Sequence, residues 1–470
     1  LYFIVAIPIF FRKNGSVDMK KNNLTKKIFC ALILGITMGI ASLFLRESLV
    51  ASGKVEIWNT INSILFQDIT RPEGSKALGI FYIVGQLFIN ALQLVIIPMV
   101  FTSIIIAVTN IQDSKSLKRI SYKTFLGFGL SSVLALFYAS VVGMIAYKAN
   151  LFSVAINQVS GSGGATSSNP LLIITKAIPQ NIIAGLSNNG NVLVAVFLGI
   201  SVGLILNVMN DEKSVIKKGI EEINRMSQIF LTFIINKFAP IAIFSLLMRT
   251  FAIYGVGYLQ IASIYFILTA ITLVVFLVLG YSFIVWISTG LNPIHFMKKI
   301  SNVAMFAFST SSSAASLPLN TKTTVEKLGV DEVTTSFVLP MGMTVNMNGT
   351  AIMQVLATLF IAGVAGYEIT VFNLMTISLL ALLASIGTPA APGSGAIILF
   401  TILTGMGYSN EIAVSAYAII LGINRPLEML LTSLNVVGDS AIAVYVSKSE
   451  GKLNHDLYHL IEEKDKAVKI

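Results

Sequence analysis

Near its carboxyl end the chain reads Asn424-Arg-Pro-Leu-Glu-Met-Leu-Leu-Thr-Ser-Leu-Asn-Val-Val-Gly-Asp439, with apolar segments on both sides. As an α-helix this stretch carries one polar stripe, because its polar residues recur every three or four positions. The stripe consists of Asn424, Glu428, Thr432, Asn435 and Asp439. A charged side chain at the centre of a bilayer costs roughly 2.5–3.5 kcal/mol on insertion scales. Two carboxylates on one face therefore predict a ligand or a wet cavity beside them, with a surface amphipathic helix or a structural hydrogen-bond seam as the alternatives.

The composition around this stretch is that of a membrane protein. The chain has 470 residues, of which 55% are hydrophobic and 11% charged, and its mean hydropathy is +0.82. Apolar runs of about 18 or more residues recur, which predicts an all-α polytopic membrane protein. The net charge of +10 does not indicate nucleic acid, because Lys and Arg lie largely in short connections between the apolar runs. A single cysteine, Cys30, excludes a disulfide framework within the chain.

The apolar runs before residue 300 predict six membrane spans. Their approximate limits are 27–45, 79–108, 121–147, 171–208, 222–249 and 257–288. With an internal amino terminus, all Lys-rich connections fall on one side, so both termini are expected in the cytoplasm. Residues 1–18, which precede Met19, are expected to be an upstream extension without a function.

Two later segments are apolar but have a polar centre. Ser309 to Ser313 is a run of five hydroxyl residues, and Gly387 to Gly395 is rich in Gly, Ala, Pro and Ser. The apolar halves are too short to cross a core of ~30 Å at ~1.5 Å per residue. They predict two re-entrant hairpins whose tips lie at mid-depth, where protein or a cavity must surround them. The alternative is an ordinary span with a kink.

Each predicted hairpin is followed by a helix with a polar interruption. The two interruptions read Asn346-Met-Asn-Gly-Thr350 and Asn435-Val-Val-Gly-Asp439. Hairpin followed by broken helix, occurring twice, indicates an internal repeat with the binding site where its halves meet. Broken helices expose carbonyl groups that suit a bare alkali cation, and hairpin tips expose N–H groups that suit a carboxylate.

These motifs resemble the dicarboxylate/amino acid:cation symporters, the glutamate transporter family. The matching stretches are Pro98-Met-Val-Phe-Thr-Ser, Ser311-Ser-Ser-Ala-Ala-Ser-Leu-Pro318, Leu339-Pro-Met-Gly-Met-Thr-Val-Asn-Met-Asn-Gly-Thr350, Ala384-Ser-Ile-Gly-Thr-Pro-Ala-Ala-Pro-Gly-Ser-Gly395 and Asn435-Val-Val-Gly-Asp439. The resemblance covers residues 19 to about 455. It implies eight transmembrane helices and two re-entrant hairpins in inverted repeats, forming a homotrimer in the lipid bilayer of the cell membrane. It also implies sodium coupling.

The resemblance further implies a division of labour along the chain. Residues 19–255 would form mainly the scaffold and trimer contacts, with the third span packing on the transport core. Residues 256–447 would form mainly that core, which moves across the membrane like an elevator. Residues 448–470 would be a cytoplasmic tail.

The resemblance implies the site residues as well. The substrate, an amino acid, would contact Ser311, Ser312, Ser313, Thr350, Ala391, Pro392, Gly393, Ser394, Gly395, Glu428, Leu431, Thr432 and Asn435. One sodium ion would be held by Gly342, Asn346, Asn435 and Asp439, and a second by the backbone at Thr344, Ser385, Ile386 and Thr388. Asn348 replaces the aspartate of a third sodium site, whose hydroxyls align with Ser131 and Ser132. Fewer than three sodium ions per cycle are therefore expected.

Departures from the family pattern predict a neutral substrate. Members that carry acidic substrates have an arginine at the position of Leu431, and another at Ser311 or Met429. Without a guanidinium, a side-chain carboxylate would be desolvated with no cationic partner, at a cost of several kcal/mol. Arg425 lies on the opposite border of the stripe and is too early in the helix to replace it directly. Glu428 stands where the family usually has an aspartate for the amino group.

The main prediction is therefore a sodium-coupled importer of a neutral amino acid. A sodium- or proton-coupled symporter of glutamate, aspartate or dicarboxylates is the first alternative. A channel is the second, because serine-rich tips and broken helices also build selectivity filters. The sequence has no zinc-protease helix, no Gly-x-Ser-x-Gly turn and no phosphate loop with its lysine, so an enzyme is not expected.

Overall fold

The computed structural model describes residues 21–70, 72–109, 115–152, 178–187, 192–209, 214–254, 257–386, 388 and 394–459. Within these ranges the chain is helical and contains no strand. Among the described residues, six helices are long and apolar enough to cross a membrane, and a helix pair bent by 57° adds a seventh if it is counted as one span. The predicted all-α polytopic fold is confirmed. The predicted extension, residues 1–18, lies outside the described residues.

The first half of the chain contains helices α1 to α9. They are Lys21–Ala51, Val55–Leu65, Ile80–Gln93, Ile96–Thr109, Lys115–Lys148, Ile182–Leu186, Val192–Met209, Val215–Lys237 and Ala239–Tyr254. Helices α1 and α9 pack at close range because Gly35 and Gly39 lie between them; a Cβ at Gly39 would be 2.7 Å from the Cβ of Phe251. The fourth predicted span corresponds to α6 and α7, and its beginning lies outside the described residues.

The second half contains α10 to α20. They are Gly257–Val275, Tyr281–Thr289, Pro293–Thr310, Ser313–Glu326, Glu332–Val345, Asn348–Ala365, Val371–Ile386, Ser394–Met406, Glu411–Ile423, Arg425–Ser449 and His455–His459. Helix α19, which contains most of the polar stripe, packs against α11, α12, α13, α14 and α15. Nearly all its residues from Leu427 to Ser447 are buried, so the stripe faces protein and not lipid.

Helices α12 and α13 pack together as the first predicted hairpin, and α16 and α17 as the second. The helices have 18, 14, 16 and 13 residues, so none reaches the ~20 residues that a span needs. The hydroxyl run forms the first tip. Ser311 ends α12 in the left-handed region with φ 47°, and the hydroxyl of Ser312 caps α13 by accepting from the Ala315 amide.

A π-helical turn, Phe276–Gly280, joins α10 to α11. Such turns occur mostly as single insertions in α-helices, frequently at functional sites. Tyr281 follows the turn immediately and is fully buried.

One local prediction is wrong. Helix α19 is continuous through Asn435 and Asp439, so this stretch is not a broken helix. The interruption lies at Asn424, between α18 and α19, because Pro426 has no amide hydrogen to continue the ladder. The stripe survives this break, since the Glu428 amide still donates to the Asn424 carbonyl at 2.9 Å.

Candidate functional site

The site is built around the break between α14 and α15. Helix α14 ends at Val345, and Asn346 has a non-helical backbone with φ −92° and ψ 78°. Its amide still donates to the Gly342 carbonyl, at 2.9 Å. The break turns the Asn346 side chain toward α19, where it meets the carboxylate of Asp439.

Asn346 and Asp439 form the centre of a first polar cluster. The Asn346 Nδ2 donates to Asp439 Oδ1 at 2.9 Å and to the Asn435 carbonyl at 3.3 Å. Gly342 admits the carboxylate, because a Cβ there would be 2.4 Å from Asp439 Oδ1. The structure thus brings together all four residues predicted for the first sodium ion.

This cluster has more acceptors than donors. Asn346 Oδ1 is buried and has no hydrogen-bond partner among the described residues. A buried carboxylate and an orphaned amide oxygen both gain from a cation, and hard oxygen ligands suit alkali ions. In the described part of the chain, no group of three or more His, Cys, Asp or Glu side chains is placed to hold a metal ion. The oxygen atoms of this cluster fit a sodium ion, whose charge would offset the energetic cost of burying the Asp439 carboxylate.

Asn348 forms a second polar cluster with the third span. Ser132 Oγ donates to Asn348 Oδ1 at 2.7 Å, and Asn348 Nδ2 donates to Ser131 Oγ at 3.0 Å and to the Tyr281 hydroxyl at 3.1 Å. All four residues are buried. Both ends of the amide are satisfied, so this cluster has no acceptor left that requires a cation.

The residues predicted for the second sodium ion lie at the end of α16 and on α14. The hydroxyls of Thr344, Ser385 and Thr388 each donate to a carbonyl of their own helical turn. The Ser385 carbonyl accepts from the Thr388 amide at 3.0 Å. These contacts end α16 next to the second tip.

Asn435 links the cation cluster to the substrate side. Its Oδ1 accepts from the Gly349 amide at 2.8 Å, and its Nδ2 lies 3.5 Å from Thr350 Oγ1. Leu431 packs on the same turn, since a Cβ at Gly349 would be 2.7 Å from the Leu431 carbonyl oxygen. The Thr432 hydroxyl donates to the Glu428 carbonyl at 2.6 Å.

Residues of both predicted hairpins contact this region. Ser311, Ser312 and Ser313 are buried at the first tip. At the second tip Gly395 lies against Thr350, because a Cβ on the glycine would be 3.1 Å from Thr350 Cγ2. Ser394, next to it, is buried. The predicted residues Ala391, Pro392 and Gly393 lie outside the described residues.

Sequence reasoning missed Gln354. Its Nε2 donates to the Gly395 carbonyl at 3.2 Å and joins α15 to the second hairpin. The signal was present, because a fully buried polar side chain in an apolar helix needs a partner.

Sequence reasoning also missed the partner of Glu428. Arg425 Nη1 lies 3.1 Å from Glu428 Oε2, and Asn424 Nδ2 donates to Glu428 Oε1 at 3.3 Å. The Glu428 side chain is 7% exposed and the Arg425 side chain 15%. The i,i+3 spacing of the two residues could have predicted this pair. Arg425, which was predicted to lie too early in the helix to replace the missing arginine, therefore contacts Glu428, a predicted substrate residue.

A profile of the sodium:dicarboxylate symporter family matches residues 24–449. The chain belongs to this family. It is 28% identical to the proton/sodium-glutamate symport protein of Bacillus caldotenax, over 93% of this chain and 97% of the relative. The corresponding Bacillus subtilis protein is 25% identical over 92% and 94%. A C4-dicarboxylate transport protein of Cupriavidus pinatubonensis is 30% identical over 79% and 86%.

Membership of the sodium:dicarboxylate symporter family confirms the predicted resemblance and the glutamate-transporter-like membrane fold. It also confirms a multi-pass membrane transporter and not an enzyme. The family couples transport to sodium, and in some members to protons. The names of the relatives favour the predicted alternative, an acidic substrate, over the neutral amino acid of the main prediction.

Proposed function

We propose that this protein is a symporter of the cell membrane that uses a sodium or proton gradient to import a small acidic solute. The candidates are glutamate, aspartate and C4-dicarboxylates. The observation that carries this proposal is the buried pair of Arg425 and Glu428, which supplies a guanidinium in the predicted site despite the leucine at position 431. The neutral substrate was predicted from the lack of an arginine at positions 431, 311 and 429, and the contact of Arg425 with Glu428 weakens that argument. The relatives support the same choice.

Ion coupling is assigned to the clusters described above. The first ion would bind at Asp439, Asn346, Asn435 and Gly342, and the second at the backbone of Thr344, Ser385, Ile386 and Thr388. At the third site, the neutral amide of Asn348 would take the place of the family's aspartate and its ion. We therefore propose two sodium ions per cycle. A proton could replace sodium at Asp439, because protonation also removes the charge of a buried carboxylate.

The assembly proposed for this function is a homotrimer with both termini in the cytoplasm. Residues 19–255 would form the scaffold, 256–447 the moving core and 448–470 the tail. An ion pair joins the proposed scaffold to the proposed core: Arg249 Nη2 lies 2.6 Å from Glu411 Oε1. Movement of the core against the scaffold would have to break this pair.

The test is uptake by the purified protein in proteoliposomes. Labelled glutamate, aspartate and succinate are supplied with an inward sodium gradient, an inward proton gradient or neither, and serine and glutamine serve as neutral comparisons. We expect an acidic solute to accumulate above its external concentration only with a gradient. Gradient-driven uptake of a neutral amino acid alone would overturn the proposed substrate. Flux that only dissipates a solute gradient would indicate a channel.

A further inference from the structure

The short helix α20 lies against the base of the first predicted hairpin. The Asn454 amide, next to α20, donates to the Gly329 carbonyl at 2.8 Å. The Tyr458 hydroxyl donates to the Asn292 carbonyl at 3.0 Å. Asn292 precedes α12 and Gly329 follows α13, so the two contacts hold both ends of the hairpin. Tyr458 is fully buried, and α20 is therefore anchored in the protein and not only attached to its surface.

Lys299 of α12 reinforces this contact. Its ammonium donates to three carbonyls, those of Leu457 at 2.5 Å, Tyr458 at 2.8 Å and Lys327 at 2.9 Å. An ammonium carries three N–H donors, enough for these three carbonyls. One side chain thus holds the end of α20 and the loop after α13 together. We call residues 453–459, docked in this way, the staple.

The chain contains three histidines, and all of them lie close together at this contact. His295 is in the first turn of α12, and His455 and His459 are the two ends of α20. The ring centroids of His295 and His459 are 5.7 Å apart, and those of His455 and His459 are 6.5 Å apart. The ordinary pKa of an imidazole is about 6.5, so such a group changes its charge close to neutral pH. That change of charge falls on the contact between the staple and the hairpin.

The docked arrangement favours the neutral form of His295. A charged imidazole carries an N–H on both nitrogens, but the buried Nδ1 of His295 has no hydrogen-bond partner among the described residues. Burial, and then the charges of His459, Lys299 and Lys298, hold the pKa of His295 below its usual range. Docking is therefore at full strength above about pH 6.5, and it weakens as the pH falls below that value toward the lowered pKa.

The surrounding charges also oppose protonation, because the three that act on His295 are all cationic. On α11, which packs against α12, there is no charged side chain. Asp331 and Glu450 already have partners in Ser447 and Lys123, and Glu326 and Glu332 are exposed. The remaining titratable groups at this end of the molecule are Lys327, Lys448, His455, Asp456 and Tyr458.

We propose that the staple is a proton-sensitive regulator: acid on the side of the tail protonates the histidines of α12 and α20, releases residues 453–459 from the first hairpin and slows transport. The release does not depend on the substrate, whereas its effect on transport rests on the proposed function. That effect arises because the hairpin carries Ser311, Ser312 and Ser313 of the predicted substrate site, and the staple holds its two ends together. Proton-driven import would acidify the same compartment, so release would act as feedback on import.

The first test is hydrogen exchange of the purified protein in nanodiscs, with EDTA present so that no metal bridges the histidines. Exchange of the peptide that covers residues 453–459 is compared at about pH 7.5 and about pH 5.5, after correction for intrinsic rates. We expect its protection in wild type to fall at least about tenfold in acid, while the amides of α15 stay protected. A double variant, His295→Gln with His459→Gln, should keep the staple protected at both values. Should it not fold, His459→Gln alone, at an exposed position, takes its place.

A second variant tests the staple without a change of pH. Lys299→Met removes the ammonium from its three carbonyls, so residues 453–459 should exchange rapidly at both pH values. Lys322→Met is the matched control, because Lys322 is an exposed lysine on α13 of the same hairpin. A staple that stays protected in Lys299→Met would overturn the docking role of this lysine. Wild-type protection that does not change with pH, or a change that persists in the histidine variant, would overturn the proton sensor.

The effect on transport is measured separately. Sodium-driven uptake of an acidic solute into proteoliposomes is compared with the same pH on both sides, so that no proton gradient contributes. The ratio of uptake by the histidine variant to uptake by wild type should be near one at about pH 7.5 and at least about twofold at about pH 5.5. A ratio near one at both values would overturn the effect on transport. If wild type takes up no acidic solute, the proposed function fails, and hydrogen exchange still decides whether the staple is released by acid.

Discussion

Similar residues form the two polar clusters of the site, but only one cluster has a hydrogen-bond partner for each of its amide groups. Around Asn346, a carboxylate and an orphaned amide oxygen leave acceptors without donors. Around Asn348, the amide nitrogen donates twice and the amide oxygen accepts once, so every group has a partner. The neutral amide of Asn348 can therefore take the place of an aspartate and its bound ion. The Asp439 carboxylate, in contrast, needs a cation to stay ionised in the protein interior.

Asp439→Asn should have the largest effect on this difference. It removes the charge that makes the first cluster a cation site, so we expect apparent sodium affinity to fall about a hundredfold or more. The measurement is the sodium dependence of uptake in proteoliposomes. Asp456→Asn, at an exposed position in the tail, is the control. Sodium dependence that is unchanged in the Asp439 variant would contradict the assignment of the first ion.

Asn348→Asp should give the second cluster an excess of hydrogen-bond acceptors, as the first cluster has. The new carboxylate loses the amide donor and faces Ser131, Ser132 and Tyr281 without a cation. We expect the free energy of unfolding in sodium-free buffer to fall by about 3 kcal/mol, and sodium to restore it. Reversal-potential measurements should then give one more sodium ion per cycle than in wild type. Asn59→Asp, on an exposed helix face, controls for the added charge. A variant with wild-type stability and ion number would show that the cluster does not take a cation.

Gly438→Ala should disturb both clusters together. A Cβ there would be 2.2 Å from the Tyr281 hydroxyl and 2.7 Å from Asn346 Nδ2, so the glycine is the point at which the clusters touch. Overpacking of this kind costs about 1–3 kcal/mol, measurable by thermal unfolding in detergent. Gly129→Ala is the matched control, because nothing lies within 4 Å of a Cβ at that position. Equal melting temperatures for the two variants would argue against this close approach.

Glu450→Gln should have the smallest effect, because it removes a charge pair outside the core. Glu450 lies 2.5 Å from Lys123 Nζ and 3.1 Å from Arg119 Nη2. The hydrogen bond from Lys123, and then the charges of Lys123 and Arg119, hold the pKa of this carboxyl below its usual range. Since the Arg119 side chain is largely exposed, its pair with Glu450 contributes at most about 1 kcal/mol.

The pH dependence of that contribution has a definite sign. A lowered pKa means that the stabilisation is fully present above the ordinary glutamate pKa of about 4.3 and is lost as the pH falls through the lowered value. Wild type and Glu450→Gln should therefore differ in melting temperature at neutral pH and converge in acid. A difference that persists or grows in acid would show that another interaction is responsible.

Much of the site follows from local patterns, and the rest depends on tertiary contacts. The hydroxyl run at Ser309–Ser313 predicts a tip because capping residues end and begin helices. The Asn346 break follows from a polar cluster inside an apolar helix. The likeness of Asn435–Asp439 to that break predicted a second broken helix. The structure lacks this second break, because α19 is packed on several sides and keeps its backbone hydrogen bonds.

The substrate prediction shows a different limit of the sequence. The neutral substrate was predicted because the positions where the family has arginine hold other residues. That argument considered where Arg425 lies along the helix and not how far its side chain extends. Arg425 has a long side chain, and one helical turn brings it to Glu428. Which carboxylate pairs with which cation is set by packing around both, and no local pattern records that.

The π-helical turn Phe276–Gly280 lets the helix take one extra residue without changing the direction of the side chains that follow. Its hydrogen bonds run from residue i to i+5, so the extra residue is absorbed as a local bulge and the Tyr281 hydroxyl still reaches Asn348. Deleting one residue of the turn should therefore leave a regular α-helix with Tyr281 near its present orientation. A deletion in the regular helix before the turn would instead rotate Tyr281 by about 100° relative to the preceding span and misalign the second cluster. Tolerance to a single-codon deletion in this segment is therefore confined to the turn.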